Sequence, residues 1–137
     1  MKIYDKEKLS FHDTGVLDLD YDFEKNTLRL ITDYGLAIEG YEDFDISIGD
    51  ISLDDSYVYI LDYKNVLAGN IGVFAGEKLG LLDLITSYDS KFKRIDLTGD
   101  LHSYKGIFIT GYIQRGEELL EIFIDIFYHG EIFLVEK

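Results

Sequence analysis

Apolar and polar residues alternate with a period of two through most of this chain, and that period suits a half-buried strand rather than a helix. In residues 16–22, Leu17, Leu19 and Tyr21 share one side while Asp18, Asp20 and Asp22 share the other. Glu24, Lys25 and Asn26 read as a turn, with Asn26 suited to positive φ, and residues 27–33 resume with Leu28, Leu30 and Thr32 on one side. A hairpin follows from this pattern. Short strands are expected over 36–39, between Gly35 and Gly40, and over 44–48, where Phe44, Ile46 and Ile48 alternate with Asp45 and Ser47. Residues 57–63 are β-branched and aromatic and end at a Lys64-Asn65 turn, with strand-like runs following at 66–69 and 71–74.

Further strands are expected over 93–97, 104–114, 119–128 and 131–136, the last two joined by a tight turn at His129-Gly130. Leu120, Ile122, Ile124, Ile126 and Tyr128 make one side of residues 119–128, with Phe123 and Phe127 on the other. A strand apolar on both sides belongs inside a sheet covered from both faces. The period changes only over residues 77–88, where Leu81, Leu84, Ile85 and Tyr88 fall at helical spacing. Glu77 would sit in the first turn of that helix, and Gly80 would weaken it by about 1 kcal/mol relative to Ala. The predicted fold is mainly β, an antiparallel sandwich or strongly curled sheet with at most one or two short helices. At 137 residues, 47% of them hydrophobic, the chain suffices for one domain spanning 1–137 with a real core.

Charge restricts function more than it restricts fold. Residues 10–62 carry fourteen acidic groups against Lys25 and Arg29, a net −12, which leaves −2 of the total −14 for the rest of the chain. Such a field repels phosphate backbones and anionic lipid, so nucleic acid and membrane surfaces are poor partners and a basic protein is a good one. The absence of Cys excludes disulfides and thiolate chemistry. The first residues lack the apolar core of a secretory signal, and no apolar run is long enough for a membrane span, so a cytoplasmic protein is expected. Lys91, Lys93 and Arg94 read as a local balance to acid rather than a phosphate site.

Few residues suggest catalysis. Asp18, Asp20 and Asp22 have the opening spacing of a calcium loop, but the positions that need Gly and Glu hold Phe23 and Arg29, so they read as the solvated side of a strand. Phe11-His12-Asp13 contains a His-Asp pair that could serve a metal or act as a general base, although such a pair before a strand is more often a hydrogen-bonded corner. With His102 it supplies the nominees for an alternative reading, a small enzyme or a ligand- or metal-binding domain. Nucleophile elbows and phosphate loops are missing, and Gly69, Gly72 and Gly76 read as turn positions. No cofactor is implied. Tyrosines crowd the acidic half, and Tyr57, Tyr59 and Tyr63 share one side of their strand opposite Val58, Ile60 and Asp62. Tyrosine joins a large apolar area to a polar tip, as interface anchors do. The candidate partner-binding set is therefore Asp18, Asp20, Asp22, Tyr57, Tyr59 and Tyr63.

The run Phe11-His12-Asp13-Thr14-Gly15-Val16, continued by Leu17-Asp18-Leu19-Asp20-Tyr21 and, past the turn, Thr27-Leu28-Arg29-Leu30, resembles the N-terminal hairpin of small uncharacterised bacterial proteins, some grouped with immunity proteins of polymorphic toxin systems. The resemblance covers about two dozen residues and implies a compact β-rich cytoplasmic protein that acts without catalysis, by covering a toxin's basic surface. The expected function is thus a non-enzymatic acidic binding protein of the immunity type, directed at a cationic protein partner. A DNA-mimicking inhibitor that presents carboxylates in place of phosphates is a further alternative.

Overall fold

The computed structural model describes residues 1–64 and 73–137, with side chains described for 1–62 and 76–137. The strand expected over 66–69, the first two residues of that expected over 71–74, the turn at Asn65 and the glycines at 69 and 72 lie outside the described residues. The remaining elements are β1 (Lys2–Ile3), β2 (Thr14–Asp22), β3 (Thr27–Thr32), β4 (Phe44–Ile48), a 3-10 turn (Leu53–Asp55), β5 (Tyr57–Lys64), β6 (Val73–Gly80), α1 (Leu81–Lys91), β7 (Arg94–Ser103), β8 (Gly106–Arg115), β9 (Glu118–Phe127) and β10 (Ile132–Glu136). All ten strands pair antiparallel in one open sheet of order β1-β10-β4-β3-β2-β7-β8-β9-β5-β6. The protein is mainly β, and of the two expected forms it takes the continuous curled sheet.

Curling follows from burial. One side of nearly every strand is apolar, and one eleven-residue helix cannot cover ten strands, so the sheet must wrap its own apolar side. Leu28 and Leu30 of β3, Ile46 and Ile48 of β4 and Leu134 of β10 join Val58 and Ile60 of β5, Ile109 and Ile113 of β8 and Ile122 and Ile124 of β9 in one buried cluster. The two halves of the sheet join where β2 meets β7, at the pairs Thr14↔Leu97 and Val16↔Ile95. Both strands carry a bulge there, at Val16/Asp18 and at Leu97/Gly99, and bulges sharpen the local bend. Gly111 sits opposite Leu97, where a Cβ would stand 2.5 Å from the Asp96 carbonyl oxygen, so the bend requires glycine.

The bulge in β2 corrects the expected side for Leu17. Leu19 and Tyr21 are buried, but Leu17 is 45% exposed and Val16 takes its place inside. An extra residue shifts the alternation by one, which moves every side chain before it to the other face. The turn itself forms as read, with Asn26 at φ 50.

Residues 36–39 form no strand. Gly35 and Gly40 adopt positive φ and turn the backbone twice, leaving Leu36 as a single buried plug. The helix begins four residues later than expected. Glu77 pairs with Ile60 in β6, Gly80 is the N-cap rather than an interior glycine, and Asp83 is the acidic group of the first turn. Its stripe holds: Leu81, Leu84 and Tyr88 are buried, and the Tyr88 hydroxyl donates to the Val16 carbonyl at 3.2 Å, tying α1 to β2 beside the bulge.

β9 and β10 do not form the expected hairpin. β9 pairs with β8 and β5, whereas β10 pairs with β4 and β1, so residues 128–131 cross between distant parts of the sheet. The β4-to-β5 connection crosses beside it, with Gly49 N–H to the Glu131 carbonyl at 3.0 Å and His129 N–H to the Asp50 carbonyl at 2.9 Å. Gly130 is small because of this crossing: a Cβ there would lie 2.6 Å from the Gly49 carbonyl oxygen. β9 is interior to the sheet as read, but only its inner side is covered; Phe123 is half-buried and Asp125 and Phe127 are exposed on the outside.

The bulge makes a paired prediction. Leu19→Asp buries an unpaired charge and should cost more than about 3 kcal/mol in urea unfolding, whereas Leu17→Asp should cost less than about 1 kcal/mol. Equal losses would contradict the shifted register.

Candidate functional site

The aspartates of the first hairpin point outward, but only one is unengaged. Asp18 is half-buried and accepts the Leu19 N–H at 2.8 Å, and Asp22 caps the turn by accepting the N–H groups of Glu24 at 3.0 Å and Lys25 at 3.2 Å. Asp20 is exposed and faces Arg29 across the strands, yet that guanidinium is directed elsewhere. Arg29 donates from Nε and Nη2 to Asp45 Oδ2 at 3.0 and 2.9 Å, and Asp45 is 3% exposed although it lies on the outward side of β4. The other oxygen of Asp45 accepts the Thr32 N–H at 2.9 Å. This arrangement satisfies a buried carboxylate and contributes to folding rather than to recognition. Arg94 is used similarly, 2.5 Å from Asp33 and 2.7 Å from Asp96, so its expected role in balancing local acid holds. Hydrogen bonding to Asp96 raises its already high pKa further.

The tyrosine side of β5 opens onto a larger surface. Tyr57 and Tyr59 lie outward and half-buried, with Val58 and Ile60 buried behind them. The Tyr63 backbone pairs with Phe74, and its side chain lies outside the described residues. Across the sheet Tyr57 pairs with Asp125 and Tyr59 with Phe123 on β9; on β8, Phe108 pairs with Asp125 and Tyr112 with Glu121. Phe108 and Phe123 stack with ring centroids 5.4 Å apart. Tyr112 is 43% exposed and Leu119 64%, and no element among the described residues covers this face. Lys78 of β6 places its Nζ 4.2 Å from the Tyr57 ring centroid and 5.7 Å from that of Tyr59. The face therefore already holds one cation against its rings.

The two halves of the candidate set are not brought together. β7, β8 and β9 lie between β2 and β5, a separation of about 19 Å along the sheet at the usual strand spacing. Phe108, Tyr112, Phe123 and Asp125 were missed by sequence reasoning, because a strand apolar on both sides reads as a doubly covered one.

The histidines also lie apart in function. His12 Nδ1 meets Asp13 Oδ2 at 2.9 Å with side chains 64% and 73% exposed, a corner pair at a residue with φ 62. His129 packs its ring edge-on to Phe127. No group of three His, Cys, Asp or Glu side chains able to hold a metal occurs among the described residues. His102 instead joins a buried cluster around Asp100. A carboxylate only accepts, so each contact identifies a donor: the Tyr4 hydroxyl at 2.8 Å and His102 Nε2 at 2.6 Å on Oδ2, the Phe11 N–H at 2.8 Å and the Ser10 hydroxyl at 3.1 Å on Oδ1. Tyr4 and His102 stack at 5.6 Å. This cluster fastens the N-terminal segment to β7, and nothing in the spacing of residues some ninety positions apart announces it.

Burial, then the hydrogen bond to Asp100 and the charges of Asp100 and Asp5, hold the Tyr4 hydroxyl far above the ordinary phenol range. Burial and the charge of Asp18 do the same for Tyr88. A raised folded pKa contributes stability that is complete below about pH 10, the ordinary phenol value, and is lost as pH rises beyond it. The phenolate absorbance of Tyr4 and Tyr88 should accordingly appear only with unfolding at high pH. Tyr88→Phe should make stability fall less steeply as pH rises beyond about 10, alongside a loss at neutral pH from the missing bond to Val16; an unchanged steepness would contradict the account.

Compared with known protein families, curated proteins and solved structures, the chain has no match.

Proposed function

We propose that the protein is a non-catalytic binding module that covers a cationic protein surface with the outer face of β5, β9 and β8, and that it acts as an immunity-type inhibitor of a toxin domain in the cytoplasm. The observation that carries the reading is that uncovered face, where Tyr57 and Phe108 flank the exposed Asp125 and Tyr59, Phe123 and Tyr112 extend the ring surface along the strands toward Glu121. Aromatic anchors among acids are what a desolvated interface with a basic partner uses. Monomers rarely leave large apolar patches open without a partner. A second copy of the chain is disfavoured as that partner because each copy carries −14. The seat of Lys78 over Tyr57 and Tyr59 illustrates the contact a partner's lysine or arginine would repeat. The hairpin aspartates then contribute long-range attraction rather than the contact itself. DNA mimicry draws on the same charge, but the aromatic interleaving favours a protein surface. No helix among the described residues is long and apolar enough to cross a membrane.

The test is whether a toxin domain is encoded beside this chain and, where one is, its binding by calorimetry at two salt concentrations, with growth protection on co-expression. Asp125→Lys and Tyr112→Ala should each weaken binding at least about tenfold, whereas Asp18→Asn, Asp20→Asn and Asp22→Asn together should flatten the salt dependence with a smaller loss at high salt. A folded Asp125→Lys, Tyr112→Ala double variant that bound and protected like the parent would overturn the assigned face.

A further inference from the structure

We propose that the cavity walled by Tyr4 and His102 is a binding site for an organic cation that combines an alkyl stem with an N–H-rich head, an alkylguanidinium or alkylammonium group. The cavity measures about 520 Å³, within the range of small-molecule sites, and lies between the N-terminal segment, the end of β7 and the β9-to-β10 crossing. It is separate from the aromatic face and does not depend on that reading.

Its chemistry begins at His102, whose side chain is 11% exposed. His102 Nε2 donates to Asp100, which fixes the ring as one wall of the cavity, and Nδ1 is buried without a hydrogen-bond partner among the described residues. Asp100 also holds Tyr4, so the ring stacked on His102 is fixed before any ligand arrives. Three carboxylates line the cavity, Asp5, Glu7 and Glu131, against the single ammonium of Lys6, a local charge of −2 that selects a cation. Tyr128 is the second ring; burial and the neighbouring Glu131 raise its hydroxyl pKa, which keeps it a neutral π surface. Ile3 and Ile132 complete the wall and suit an alkyl stem. A bare metal ion does not fit, since no metal-competent group of ligands occurs there among the described residues. The cation can be a free small molecule or the side chain of a bound protein, and the two share this chemistry.

The test is an NMR titration of the full chain with three probes: agmatine, Nα-acetyl-arginine N-methylamide, and the corresponding citrulline amide as a neutral control. The two cations should produce saturable shifts at His102, Tyr4 and Ile132, with the citrulline amide at least about tenfold weaker. Tighter binding of agmatine assigns the site to a free cation, and equal or tighter binding of the arginine amide assigns it to a protein side chain. His102→Phe and the surface change Glu131→Gln should each weaken binding at least fivefold, Glu131→Gln serving if His102→Phe does not fold. The proposal is overturned if neither cation saturates by about 10 mM, if the citrulline amide binds equally, or if folded variants bind like the parent.

Discussion

The structure depends on one constraint: among the described residues ten strands present an apolar side, and one short helix is all that is available to cover it. The open sheet meets that constraint by folding its two halves over a shared core, and the halves join at the short pairing of β2 with β7. There the two bulges bend the strands, Gly111 admits the close backbone approach, and Tyr88 anchors the helix to the Val16 carbonyl. Burying the inner side this way leaves the outer side of β5, β9 and β8 uncovered. The candidate interface is thus a consequence of how the core is made, and its rings sit on interior strands that are rigidly paired on both edges.

Charged groups divide into two populations with different tasks. Asp45, Asp100 and Asp33 are withdrawn from water and matched by Arg29, by four donors and by Arg94, and such groups are costly to disturb because a lost partner strands a buried charge. Asp20 and Asp125 are exposed and bear on the long-range field and on the outer face. The net charge alone does not distinguish these populations, and only the second is free to meet a partner.

Much of the fold is legible in the sequence, and its failures have physical causes. The first hairpin, with positive φ at Asn26, follows from local alternation and turn chemistry, and the stripe Leu81, Leu84 and Tyr88 follows from helical period. Leu17 is misplaced because a bulge leaves no mark in a run that alternates on both sides of it. Gly130 looks like a hairpin turn and is instead where two crossings touch, a tertiary demand that local pattern does not carry. The outer face was half legible: Tyr57 and Tyr59 stood out, while Phe108, Tyr112 and Phe123 emerged only when β8, β9 and β5 were seen to be neighbours. The Asp100 cluster was not legible, since it joins residues from opposite ends of the chain through one carboxylate.

The central claim is that partner recognition belongs to the outer face of β5, β9 and β8. Amide hydrogen exchange of the chain with and without a bound cationic partner protein tests it most directly. The account predicts added protection in residues 57–62 and 106–127, with residues 17–31 of the first hairpin unchanged. Protection confined to the hairpin, with 57–62 and 106–127 exchanging as in the free protein, would contradict it.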